Sequence, residues 1–73
     1  MTLREWLGNN QKVKVVDYTY IAKDGKQECN YVTREDILLG SWEVPNGIAN
    51  CEVVKSGTEK DGEYLIGFVT VNA

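Results

Sequence analysis

The stretch Tyr64-Leu65-Ile66-Gly67-Phe68-Val69-Thr70-Val71 is the longest apolar run in the chain, and it restricts what the rest can fold into. In an extended conformation Tyr64, Ile66 and Phe68 point to one side while Leu65, Val69 and Val71 point to the other, so both sides carry large apolar groups. The run is continuous, β-branched and aromatic, without the three-and-four spacing of an amphipathic helix. It predicts a strand in the middle of a sheet, with the remainder of the chain as cover.

Two short helices are expected to supply part of that cover. Thr2 followed by Glu5 has the spacing of a capping box, Leu3, Trp6 and Leu7 share one helical face, and Gly8 is placed to end the helix. Thr33 followed by Asp36 repeats the pattern ahead of Ile37, Leu38 and Leu39, with Gly40 as the terminator. Lys23-Asp24-Gly25-Lys26 carries the Asp-Gly signature of a hairpin turn between a strand from Lys12 to Ile21 and a returning strand from Gln27 to Val32. Within the first strand Val13 and Val15 alternate cleanly until Val16 breaks the phase. Either a bulge near Val16 returns Tyr18 and Tyr20 to the core face, or both tyrosines stand on the back of the sheet. On the returning strand Cys29 and Tyr31 are expected to face inward.

Trp42 and Val44 are expected on one face of a short extended segment that Pro45-Asn46-Gly47 terminates, an edge or a connection because proline cannot donate to a ladder. A further strand is expected from Ile48 to Lys55, then a polar loop from Ser56 to Gly62, then the central strand running antiparallel to it. The motifs fall in the same order twice: capped helix, strand, Asp-Gly turn, strand. The expectation is one α+β domain over residues 1–73, an antiparallel sheet of about four strands with both helices on one face, and a possible αββαββ repeat. The second face of the sheet is left to solvent or to a partner.

Chemistry is constrained mainly by what is missing. The chain has no histidine, which removes Ser-His-Asp and Cys-His arrangements and the usual zinc sets. Cys29 and Cys51 lie among apolar neighbours and read as small hydrophobes. Asp17, Glu43 and Glu52 offer carboxylates, but sequence spacing does not report their separation in space. No phosphate-loop or dinucleotide fingerprint is present, so no cofactor is expected and an enzyme is not. Eleven acids against eight bases give a net charge of −3, and the lysines are scattered with acids between them, which argues against nucleic acid as partner. The opening residues lack the basic start and apolar stretch of a signal peptide, and no run is long enough to span a membrane. A cytoplasmic protein with reduced thiols is expected.

The opening Met1-Thr2-Leu3-Arg4-Glu5-Trp6-Leu7, the polar break from Gly8 to Gln11 and the strand start Lys12-Val13-Lys14-Val15-Val16-Asp17 resemble the beginnings of many short accessory proteins carried by bacteriophages and prophages. The resemblance covers about the first quarter of the chain. It implies a protein that binds a host protein or a small signalling molecule to blunt host defence, and it carries over no site residue. Two functions follow. One is a protein-binding inhibitor or adaptor acting on a host protein through exposed aromatics, with Tyr18, Tyr20 and Trp42 as the anchors. The other is an oligomeric binder of a nucleotide-type small molecule, with Trp or Tyr stacking on the ligand and lysines holding phosphate. Two tryptophans, four tyrosines and a phenylalanine exceed what two short helices can cover, which predicts a homodimer.

Overall fold

In a computed structural model describing residues 1–73, both helix starts form the reciprocal contacts their sequences specify. Helix α1 (Leu3–Asn9) is capped by Thr2, whose hydroxyl accepts from the Glu5 amide at 3.2 Å while the Glu5 carboxylate accepts from the Thr2 amide at 2.9 Å. Helix α2 (Arg34–Leu39) repeats this with Thr33 and Asp36, and Gly40 closes it in the left-handed conformation at φ 68°. Gly8 does not end α1. The helix continues to Asn9, and the Asn10 side chain donates to the Trp6 carbonyl at 2.8 Å in place of a glycine stop.

Four strands complete the fold: β1 (Val13–Ile21), β2 (Gln27–Thr33), β3 (Glu52–Asp61) and β4 (Tyr64–Asn72), with a single 3₁₀ turn (Ile48–Asn50) before β3. Their order in the sheet is β2-β1-β4-β3, so the apolar run is a central strand as its composition requires. The sheet is mixed rather than wholly antiparallel, because the two central strands β1 and β4 run parallel while each outer strand is antiparallel to its neighbour. Local turns fix the pairing inside each hairpin but not the direction of one hairpin relative to the other. The segment from Arg34 to Cys51 runs the length of the sheet, so β3 starts at the end where β2 starts, and β4 therefore runs with β1. The internal repeat finds no support beyond element order: the long connection and 3₁₀ turn that follow α2 have no counterpart after α1.

The phase break in β1 is a bulge, placed at Lys14. Val13 pairs with Leu65 and Val15 with Ile66, two steps along β1 against one along β4. Val13, Val16 and Tyr18 are buried on the helix side, Tyr20 packs partly buried against them, and Lys14 is expelled to solvent. On β2 the register sets Val32 opposite Val16 and Asn30 opposite Tyr18, so even-numbered residues face the helices. Cys29 and Tyr31 consequently point outward and are exposed, the reverse of the inward placement their alternation suggested.

The other corrections concern the connection after α2 and the second hairpin. Val44 turns into the core while Trp42 turns out. Ile48 and Ala49 are core residues of the 3₁₀ turn, not the start of a strand. Ser56 to Asp61 is strand instead of loop, and the chain reverses through Gly62-Glu63 alone, with Gly62 at φ 62° supplying the left-handed backbone at the first loop position.

Thirteen buried hydrophobic residues form one cluster between the helices and a single face of the sheet. Two contacts hold the helices there. The Trp6 indole lies over Gly67: a Cβ at that glycine would stand 2.8 Å from the ring atom Cη2 and 3.1 Å from a Val13 methyl, so only the bare backbone fits. The Arg34 guanidinium donates to the carbonyls of Leu7 (2.8 Å), Asn10 (3.1 Å) and Val13 (2.8 Å), pinning the start of α2 to the negative end of α1.

Candidate functional site

Of the three aromatics expected as anchors, the structure places one at the surface. Tyr18 is a fully buried core residue, because the bulge at Lys14 turns it toward the helices, which corrects its reading as an exposed contact. Burial raises the pKa of its phenol. Its hydroxyl has no hydrogen-bond partner. Tyr20 is half-buried against the same core. Trp42 is 92% exposed, and Leu39, three residues before it at the end of α2, is 84% exposed. The three do not form one surface.

The second sheet face has no helix over it and carries apolar residues that alternation alone put inside. One cross-strand row reads Tyr31 (β2), Asp17 (β1), Phe68 (β4) and Gly57 (β3); the next reads Cys29, Thr19, Thr70 and Lys55. On the other side of the first row lie Thr33, Val15, Ile66 and Glu59. Tyr31 and Phe68 are exposed, and Val15 and Ile66 are half-buried between them. A depression of about 420 Å³ lies in this face around Asp17, Lys55, Gly57 and Phe68. The signal for this surface was present in the sequence as the two-sided apolar run of β4, but assigning Tyr31 to it required the β1–β2 register.

A third surface lies where β1 and β4 begin and β3 ends. Lys12, Lys14 and Lys60 line a groove of about 660 Å³ together with Gln11, Glu63, Tyr64 and Leu65. A neighbouring depression of about 430 Å³ continues past Gln11 and Lys12 to Gly8, Asn9 and Asn10. None of the three lysines makes an ion pair; the only one in the structure joins the Met1 amine to Glu52. Forty-six positions separate Lys14 from Lys60, so no charge run marked the cluster. Its one local sign was Lys12 and Lys14 two apart at the start of a strand.

The remaining chemical groups stay dispersed. Asp17 and Glu52 lie on the open face two strands and two rows apart, roughly 16 Å by ordinary sheet spacing, beyond the separation at which two carboxylates share a reacting bond. Glu43 sits in the connection on the other side of the sheet, where its carbonyl accepts from the Asn30 side chain at 3.4 Å. Burial raises the Cys51 pKa, which keeps its sulfur a thiol. Cys29 is exposed on the open face with its sulfur 3.5 Å from the Thr19 hydroxyl. No helix is long and apolar enough to cross a membrane. The chain matches no known protein family, no curated protein and no solved structure.

Proposed function

We propose that this chain is a non-enzymatic binding protein of the phage inhibitor or adaptor type, acting on a host protein, with Trp42 as its anchor. The observation that carries this reading is the exposure of Trp42. A tryptophan left almost wholly in water contributes nothing to the core, and it projects as an apolar knob of the kind that fills a partner's pocket. The dispersed carboxylates and the half-buried Cys51, whose thiol pKa is raised, support binding over covalent chemistry. To test it, host proteins captured by the tagged chain are each purified and titrated against the native and Trp42→Ala chains. A loss of affinity of about 30-fold or more with an unchanged unfolding midpoint is the expected result. A partner bound equally well by both forms sinks the anchor role.

The open sheet face favours a second, compatible reading: two copies of the chain pack through it. Seven residues of strand by four strands give a face about 23 Å long and roughly 19 Å wide. With its side-chain relief counted on both copies, it approaches the lower bound, about 1,200 Å², of a stable interface. A twofold axis parallel to the strands reverses the strand order across the interface, setting Tyr31 of each copy over Gly57 of the other. Gly57 has open space above it, where a ring can sit. Cys29 lies in the next row, so its alkylation should slow as protein concentration rises, with half-buried Cys51 as the control within the same chain. Alkylation of Cys29 at a rate independent of concentration would count against the face-to-face dimer.

A further inference from the structure

We infer that the groove lined by Lys12, Lys14 and Lys60 is a binding site for a nucleoside phosphate, separate from both the Trp42 knob and the open sheet face. Three lysines line it, from the α1–β1 turn, the β1 bulge and the end of β3, in a chain whose net charge is −3. No carboxylate pairs with them, so the fold holds like charges together without any compensating internal contact. The bulge itself expels Lys14 from the alternation of β1, and Lys14 lines the same groove as Lys12 and Lys60. With Glu63 as the one acid on the lining, the groove keeps a charge of +2, suited to the phosphates of a nucleoside mono- or diphosphate.

The rest of the lining distinguishes a nucleotide from a bare anion. Tyr64 is partly exposed beside the lysines and, with Leu65, offers an aromatic and apolar surface that phosphate alone would leave unused. A base can stack there, since every nucleobase has a π-face. Glu63, unfavourable to a phosphate, is an acceptor for ribose hydroxyls, and Gln11 with Asn9 in the adjoining depression supplies amides for a base edge. The groove volume of about 660 Å³ falls within the range of small-ligand sites. A single-stranded nucleic acid fits less well: Glu59 and Asp61 flank Lys60 along β3, so no basic track leads out of the groove.

The test is calorimetric titration of the full chain, at low salt, with ADP, GDP, CDP and UDP, and with inorganic pyrophosphate for comparison. At least one nucleotide should bind saturably at one per chain, with a Kd below about 1 mM. Lys12→Glu and Lys60→Glu, both at exposed positions, should each weaken it about tenfold or more and flatten its salt dependence, while Lys23→Glu outside the groove should leave it unchanged. Tyr64→Leu, which keeps the apolar bulk, should weaken the nucleotide by about tenfold and leave pyrophosphate as it was. Absence of saturable binding to all four nucleotides overturns the inference, as does binding that survives Lys60→Glu. Pyrophosphate binding as tightly as any nucleotide, or affinity for oligonucleotides rising with their length, would also overturn it. None of these results bears on Trp42, so the site and the protein-binding reading stand or fall separately.

Discussion

The two faces of the sheet are built from the same four strands, yet only one of them folds the chain. On the covered face Val16, Tyr18, Val32, Val69 and Val71 are buried beneath α1, α2 and the 3₁₀ turn. On the open face Val15, Tyr31, Ile66 and Phe68 are interrupted by Asp17, Thr19, Thr70 and Lys55, with nothing above them. The more apolar side is the covered one, and a pair of devices closes it: the bare backbone of Gly67, which lets Trp6 settle onto the sheet, and the Arg34 fork, which joins the helices to each other. An open face with no such device is available to something else.

The largest effects should come from breaking the first device. Trp6→Ala removes the indole from between α1 and Gly67 and is expected to cost about 3–5 kcal/mol, enough to leave so small a domain mostly unfolded by circular dichroism. Gly67→Val attacks the same contact from the sheet side. Its branched side chain meets both the indole and Val13, and the expected loss of about 1–3 kcal/mol should appear as a lower denaturant midpoint. An unchanged or higher midpoint would show that the indole can move aside. Arg34→Met keeps the aliphatic stem and deletes three donors to carbonyls, with an expected cost of about 2 kcal/mol.

Much of the covered face was legible in the sequence. Thr2 with Glu5 and Thr33 with Asp36 state their caps in four residues, and Gly40 states its stop; a glycine inside the central apolar strand calls for close approach of backbone or of an aromatic, from Trp6 or Trp42, and the structure supplies Trp6. What stayed illegible depends on contacts distant in sequence. The parallel pairing of β1 with β4 follows from how far the segment after β2 travels, which no local pattern encodes. Residues 56–61 are polar and fully exposed, so they carry no alternation to mark them as strand; pairing with β4 alone makes them one. The bulge decides that Tyr18 and Tyr20 face the helices, and no local signal distinguishes its place at Lys14 from one near Val16. The lysine groove joins residues 12, 14 and 60, and the exposure of Tyr31 needs a cross-strand register, so both appear only once the sheet exists.

Smaller effects sharpen the same contrast. Thr33→Ala should cost about 1 kcal/mol through an unsatisfied amide at the start of α2. At α1 the Glu5 pKa is lowered, first by the hydrogen bond from the Thr2 amide and then by its hydroxyl. Because the folded value lies below the unfolded one, this contribution is fully present above the ordinary carboxylate range and is lost as pH falls through the lowered value. The stability of Glu5→Gln should accordingly fall less than that of the native chain as pH drops through the ordinary carboxylate range and past the lowered Glu5 value. On the open side, Tyr31→Ser is expected to change the midpoint measured at low protein concentration by no more than about 0.5 kcal/mol, since the ring leaves one solvent-facing site and no core contact.

The claim that the open face is a contact surface is tested most directly by sedimentation equilibrium across micromolar concentrations, comparing the native chain with Phe68→Asp. The expected result is a concentration-dependent rise from monomer toward dimer mass for the native chain, and monomer mass throughout for Phe68→Asp with the fold intact. Monomer mass for both at every concentration, or a dimer that survives the charge at position 68, would contradict it.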